Sequence, residues 1–120
     1  MRNKILIVDD SQATIRLIQD MLQQGGYSSI GLDDPARIEE TIDTERPGLI
    51  LMDVVMPQRN GFQACRELKQ HTDYKKIPLI FVTSKASASD RFWGEQQGAD
   101  GHVAKPFTSE ELLTAVRKFV

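Results

Sequence analysis

The chain has 120 residues, with 15 Lys or Arg against 17 Asp or Glu and a formal net charge of −2 at pH 7; this is room for one domain, residues 1–120, with a real core. The absence of a basic run excludes an electrostatic nucleic-acid footprint. The single cysteine, Cys65, excludes an internal disulfide and a two-thiolate metal clip. No apolar run reaches membrane-spanning length, and the apolar stretch before Asp9 is too short for a secretory signal, so the expectation is a cytoplasmic protein without membrane contact.

In chain order, the first strand is predicted at KILIVD, whose apolar residues Ile5 to Val8 run into the adjacent carboxylates Asp9 and Asp10. Ile15, Ile18, Met21 and Leu22 follow at helical spacing, and Gly25 and Gly26 suit the end of that helix. The second strand is YSSIGL. After it, Asp34 and Pro35 read as an N-cap and a first-turn proline, although Ile38 and Ile42 make only a thin apolar stripe. LILMD is the third strand, and NGFQACRELKQH places Phe62, Cys65 and Leu68 on one helical face. PLIFVT is the fourth strand; the next helix contains Phe92 and Trp93, which on their own read as aromatic anchors against a sheet, and closes at Gly98. GHVAK is the fifth strand. Thr108 and Glu111 then form a capping box for a last helix with Leu112, Leu113, Val116 and Val120 along one side.

Strict alternation of strands and helices predicts a doubly wound α/β domain. Right-handed crossovers, with five helices divided over both faces of a five-stranded parallel sheet, favour the flavodoxin-like strand order 2-1-3-4-5. Ligands in such folds bind outside the carboxyl ends of the strands, near the switch in strand order. At those ends stand Asp9 and Asp10, Asp53, Thr83 with Ser84, and Lys105. Taken singly, each is an ordinary turn, cap or solvated residue. Together they bring three carboxylates, one or two hydroxyls and an ammonium to one rim.

Clustered carboxylates without His or Cys suit Mg²⁺ or Mn²⁺ rather than zinc. A carboxylate can also attack a phosphoryl group and form an aspartyl phosphate. Asp53 as acceptor, Asp9 and Asp10 for the metal, and Thr83 and Lys105 for the phosphoryl oxygens would employ every polar strand end. The adjacent aspartates are then tolerable because a cation lies between them and Asp53.

The segments ILIVDDS, LILMDVVMPQRNGF, IFVTSKA and GHVAKPF, in this order and spacing, resemble the receiver domain of bacterial two-component response regulators of the chemotaxis-regulator type. The resemblance covers essentially the whole chain. It implies that Asp53 accepts a phosphoryl group from a histidine kinase or phosphotransfer protein, and that Asp10, Asp53 and the Val55 carbonyl bind Mg²⁺ while Asp9 acts mainly through a water. It further implies that Thr83 is the switch hydroxyl, that Lys105 pairs with phosphate and carboxylate, and that the Lys105–Pro106 bond is cis. Gly61 would provide a positive φ in the turn after the acceptor. Output would pass to a partner protein through the fourth helix, fifth strand and fifth helix, from a monomer or weak dimer, by self-catalysed phosphorylation and dephosphorylation rather than ordinary turnover. The stretch FWGEQQGA is similar to single-domain receivers of type IV pilus twitching motility.

Three positions depart from the family pattern. Val55, two after the acceptor, has no polar group to orient an attacking water, and Lys85, two after Thr83, carries an ammonium that could reach over the site. The pair is expected to lengthen the phosphoryl lifetime. His102 stands where the family has Tyr or Phe; it is expected to be an exposed histidine on an edge strand, with a pH-sensitive gate as the sharper alternative. A haloacid-dehalogenase-type phosphatase is disfavoured because its second acid would fall at Val55, and a nucleotide or flavin binder because DDSQAT puts carboxylates where phosphate would sit. An unphosphorylated pseudo-receiver that serves only as an interaction module is the remaining alternative.

Overall fold

The computed structural model describes residues 4–120. Five strands, β1 (Lys4–Val8), β2 (Ser28–Leu32), β3 (Leu49–Met52), β4 (Leu79–Thr83) and β5 (Gly101–Ala104), form one parallel sheet in the order β2-β1-β3-β4-β5. Between and after them run α1 (Gln12–Gln24), α2 (Ile38–Glu45), α3 (Gly61–Gln70), α4 (Ala88–Gln96) and α5 (Ser109–Arg117). Fold class, strand order and helix count are those expected. The Asp34–Pro35 signal marks a 3₁₀ turn, Pro35–Arg37, that leads into α2: the Asp34 carboxylate accepts from the Ala36 amide at 3.0 Å.

The sheet is buried because its central strands are apolar on both faces. Ile5, Ile7, Leu49, Leu51, Ile80 and Val82 pack with Ile15, Ile18 and Leu22 of α1 and Leu112, Leu113 and Val116 of α5. Leu6, Val8, Ile50, Met52 and Phe81 face the other way, onto Ile38 and Ile42 of α2 and Ala64, Cys65 and Leu68 of α3. Period-two alternation thus disappears from sequence but survives as a division between two cores. Truncating Leu51, 1% exposed, to Ala would cost about 2–5 kcal/mol.

Three expectations need correction. Phe92 and Trp93 do not anchor α4: they are 61% and 51% exposed, and the helix rests on the sheet through Gly94, where a Cβ would come 3.2 Å from the Phe81 ring. A small residue at the contact brings the backbone close, and the aromatics on the remaining faces stay in water. Gly61 does not supply a positive φ. That conformation falls on Gln58, at 71°; Gly61 is required by space, because a Cβ there would sit 2.3 Å from the Asp53 carbonyl oxygen. Gly26 and Gly98 do adopt positive φ, 89° and 101°, where α1 and α4 end. His102, finally, is half-buried rather than exposed on edge strand β5. Its ring lies 5.7 Å from that of Phe81, and Nε2 is 2.9 Å from the Lys85 carbonyl. A carbonyl only accepts, so Nε2 carries the proton.

Candidate functional site

Parallel pairing puts every strand's carboxyl end at one edge. Val8 is in register with Met52, and the Asp53 amide donates to the Val8 carbonyl at 3.0 Å, so the residues that follow β1 and β3 leave the sheet side by side. Thr83 pairs with Ala104, and the Lys105 amide donates to the Thr83 carbonyl at 3.0 Å. This delivers Asp9, Asp10, Asp53, Thr83 and Lys105 to one rim, as their sequence positions require.

Asp9 and Asp53 are buried, 2% and 8% exposed, and Asp10 is exposed. One oxygen of each lies within 4.8 Å of those of the other two. The Lys105 ammonium donates to Asp9 Oδ2 at 2.9 Å and to Asp53 Oδ2 at 3.0 Å. Asp9 Oδ1 accepts from the Ser11 amide at 2.9 Å, and Asp53 Oδ1 from the amides of Val54 and Val55 at 2.7 and 3.3 Å. Among the described residues no donor reaches the Asp10 carboxylate, which leaves it free toward solvent or a cation.

Burial pushes the Asp9 carboxyl above its ordinary range; the Lys105 and Ser11 hydrogen bonds counter this only in part, and the Asp53 charge adds to it. Burial also works against the Lys105 charge, but the hydrogen bonds to Asp9 and Asp53 prevail and hold its pKa above the ordinary value. One ammonium therefore faces two buried carboxylates and a third exposed one, so the cluster carries surplus negative charge. An all-oxygen donor set of this kind fits a hard divalent cation such as Mg²⁺, which tolerates few protein ligands and retains water. The cluster is a candidate divalent-metal site.

Thr83 is fully buried, and its Oγ1 accepts from the Lys85 amide at 3.2 Å. Ser84 and Val55 are exposed at the rim. The Lys105–Pro106 bond is cis. Lys85 does not extend over the site: its ammonium turns to Asp90 at 3.4 Å, in the first turn of α4. The same carboxylate closes the capping box with Ser87, and its negative charge draws the ammonium. Sequence reasoning passed over Arg59, in the loop between Asp53 and α3. Its partner Glu39 lies 20 residues upstream, and no spacing rule relates the two.

The family described as "Response regulator receiver domain" matches residues 5–117. Protein PilH of Pseudomonas aeruginosa is 37% identical over 113 residues, which cover 94% of this chain and 93% of that protein. Several other curated relatives are longer, and the chain spans about half their length, 47–48%. Vibrio cholerae chemotaxis protein CheY4 superposes with a TM-score of 0.91 at 28% identity, each chain covered in full. The receiver domain of sensor histidine kinase PA1611 from P. aeruginosa, solved with a magnesium ion coordinated in its active site cleft, gives a TM-score of 0.87 at 28% identity over 99% of this chain and 98% of that one. The chain belongs to the response regulator receiver family.

Proposed function

We propose that this receiver is a phosphorylation-operated switch in which Asp53 takes a phosphoryl group from a phosphohistidine of a histidine kinase or phosphotransfer protein. The observation that carries the reading is the position of the Lys105 ammonium between Asp9 and Asp53, beside the free carboxylate of Asp10. In the transfer, an Asp53 oxygen forms a bond to phosphorus, the N–P bond of the phosphohistidine breaks, and the electron pair leaves on imidazole, which takes up a proton from solvent. Asp10, Asp53 and the Val55 carbonyl would hold Mg²⁺, with Asp9 at its edge. When bound, the cation offsets negative charge on the transferring oxygens.

Lys105 already lies against Asp53 and would follow the charge onto the new phosphoryl oxygens, while Thr83 offers them a hydroxyl from a buried position. Any movement of Thr83 toward the phosphate draws on the Lys85 amide bonded to its Oγ1, and Lys85 in turn bonds His102. That chain of contacts would couple the acceptor to the face of α4, β5 and α5, where Phe92 and Trp93 stand exposed. We read this face as the output surface, toward a protein partner rather than nucleic acid or membrane. No helix among the described residues is long and apolar enough to cross a membrane, and a cytoplasmic setting suits the reading.

Likeness to PilH and CheY4 favours a role in pilus-driven twitching motility or chemotaxis. The deciding experiment is intact mass of the wild type and of Asp53→Asn after acetyl phosphate, with and without Mg²⁺. A Mg²⁺-dependent gain of one phosphoryl group, labile to alkali and absent from Asp53→Asn, is the expected result. No gain under any condition, with the phosphohistidine donor included, would leave a pseudo-receiver.

A further inference from the structure

The loop that follows Asp53 is fixed at its outer end by one side chain. Arg59 Nε donates to Glu67 Oε1 at 3.0 Å; Nη1 donates to the Pro35 carbonyl at 2.8 Å and to Glu39 Oε1 at 3.0 Å; Nη2 reaches Glu39 Oε2 at 2.7 Å and Glu67 Oε1 at 2.9 Å. A guanidinium has five N–H donors, and four of them are hydrogen-bonded here, while Nη2 also forms the ion pair with Glu67. The Arg59 side chain is 14% exposed while its Glu39 and Glu67 partners are 38% and 47% exposed, and it is the number of bonds on one planar fork that separates this arrangement from a simple surface pair. Burial opposes ionisation of Glu39, yet the Arg59 hydrogen bonds prevail and hold that carboxyl below its ordinary range.

The anchors belong to three elements: the 3₁₀ turn, α2 and α3. At its inner end the loop is closed by the Gly61 amide, which donates to the Val54 carbonyl at 2.7 Å, and the Arg59 amide folds back to the Pro57 carbonyl at 2.8 Å. Val55 lies between these fixed points. We infer that Arg59 is a positioning residue for the cation site: it holds the β3–α3 loop in one shape, and with it the Val55 carbonyl that the Mg²⁺ reading takes as a ligand. A carbonyl on an untethered loop would have to be ordered at the moment of binding, and the affinity would fall accordingly. Lysine does not reproduce the arrangement, because its single ammonium lacks the planar fork that pairs both Glu39 oxygens while reaching Glu67 and the Pro35 carbonyl on either side.

The inference rests on the reading of the acid cluster as a Mg²⁺ site. Its test is calorimetric titration of Mg²⁺ into wild type, Arg59→Lys, Arg59→Gln, Glu39→Gln and Ile42→Val, below the melting temperature of each. Ile42 is 4% exposed in α2, so Ile42→Val lowers stability without touching the guanidinium. The Arg59 variants should bind Mg²⁺ roughly tenfold more weakly, the low end for residues that support ligands from behind. Glu39→Gln should weaken binding too and add little to Arg59→Gln, while Ile42→Val binds as wild type does. Unchanged Mg²⁺ affinity in Arg59→Lys and Glu39→Gln, whatever their melting temperatures, overturns the positioning role and leaves a structural clamp. Equal weakening in Ile42→Val also overturns it. A wild type that binds no Mg²⁺ overturns the site reading itself.

Discussion

The Lys105 ammonium lies 3.0 Å from Asp53 Oδ2 across 52 residues of chain, so the carboxylate proposed as the acceptor is already paired with a cation of the chain itself. The same nitrogen serves Asp9, and its removal would leave two buried carboxylates without a cation. Lys105 is held above its ordinary pKa of 10.5, so its stabilising contribution is full below that value and lost only as pH rises past the folded pKa. Lys105→Met should therefore lower stability at pH 7 by about 2 kcal/mol, less than a fully buried broken pair costs because the lysine is partly exposed. The Asp9 carboxyl, already raised by burial, would lose the lysine bond that lowers it, so the deficit should shrink as pH falls toward 4. Urea unfolding of both proteins at pH 8, 7 and 5 checks it; a deficit independent of pH would contradict the electrostatic account.

Asp9 carries a charge that the fold resists. Its pKa is raised above 3.8, the folded form therefore holds its proton more tightly than the unfolded chain, and ionisation costs stability as pH rises through that raised value. Asp9→Asn keeps an oxygen for the Ser11 amide and removes one charge of the surplus. In metal-free buffer at pH 7 the variant should melt higher by roughly 2–6 °C, by the usual scaling for a domain of this size. Added Mg²⁺ should then stabilise wild type more than Asp9→Asn, narrowing or reversing the order. Scanning calorimetry with EDTA and with Mg²⁺ gives both numbers.

Much of this arrangement is legible in sequence because strand ends are local features: an apolar run that stops at Asp9, Asp53, Thr83 or Lys105 places each residue on the rim once the sheet is parallel. The strand order followed from connection rules alone. What escaped depends on packing between distant segments. Gly94 and not Phe92 or Trp93 meets the sheet because Phe81 leaves no room for more, and nothing within α4 announces the size of the Phe81 ring. Sequence locates Gly61 in the correct turn, but what requires glycine there is the Cβ conflict with the Asp53 carbonyl, which depends on how tightly the loop returns. Spacing aims Lys85 at the site, whereas the Asp90 carboxylate draws it to the start of α4.

Val55 is exposed at the rim, and Lys85 is paired elsewhere, so neither presents a polar group to a water that would attack an aspartyl phosphate. Val55→Asn adds an amide that can orient such a water. The half-life of phosphorylated protein should shorten by roughly three- to tenfold, a modest effect because an amide positions without removing a proton. Val55→Ala should leave it near the wild-type value. Decay of the phosphorylated mass after the donor is removed distinguishes the two variants; shortening in Val55→Ala alone would mean that side-chain bulk, and not polarity, sets the lifetime.

The exposed pair on α4 separates structural from interfacial roles directly. Had Phe92 and Trp93 been anchors, truncating either would cost about 3–5 kcal/mol. Since both stand more than half in water and the helix contacts the sheet through Gly94, Phe92→Gln and Trp93→Gln should each stay within about 0.5 kcal/mol of wild type. Phosphorylation of Asp53 should be unaffected, because neither residue reaches the acid cluster. Gly94→Leu should behave in the opposite way: its side chain would meet Phe81 and His102, push α4 outward and disturb the Lys85 carbonyl contact, with a cost of about 1–3 kcal/mol. Urea unfolding of the three variants, with intrinsic fluorescence followed in those that retain the single tryptophan, measures the contrast. A large loss in Phe92→Gln or Trp93→Gln would show that α4 packs on its aromatics in solution and would remove the exposed pair from any account of output.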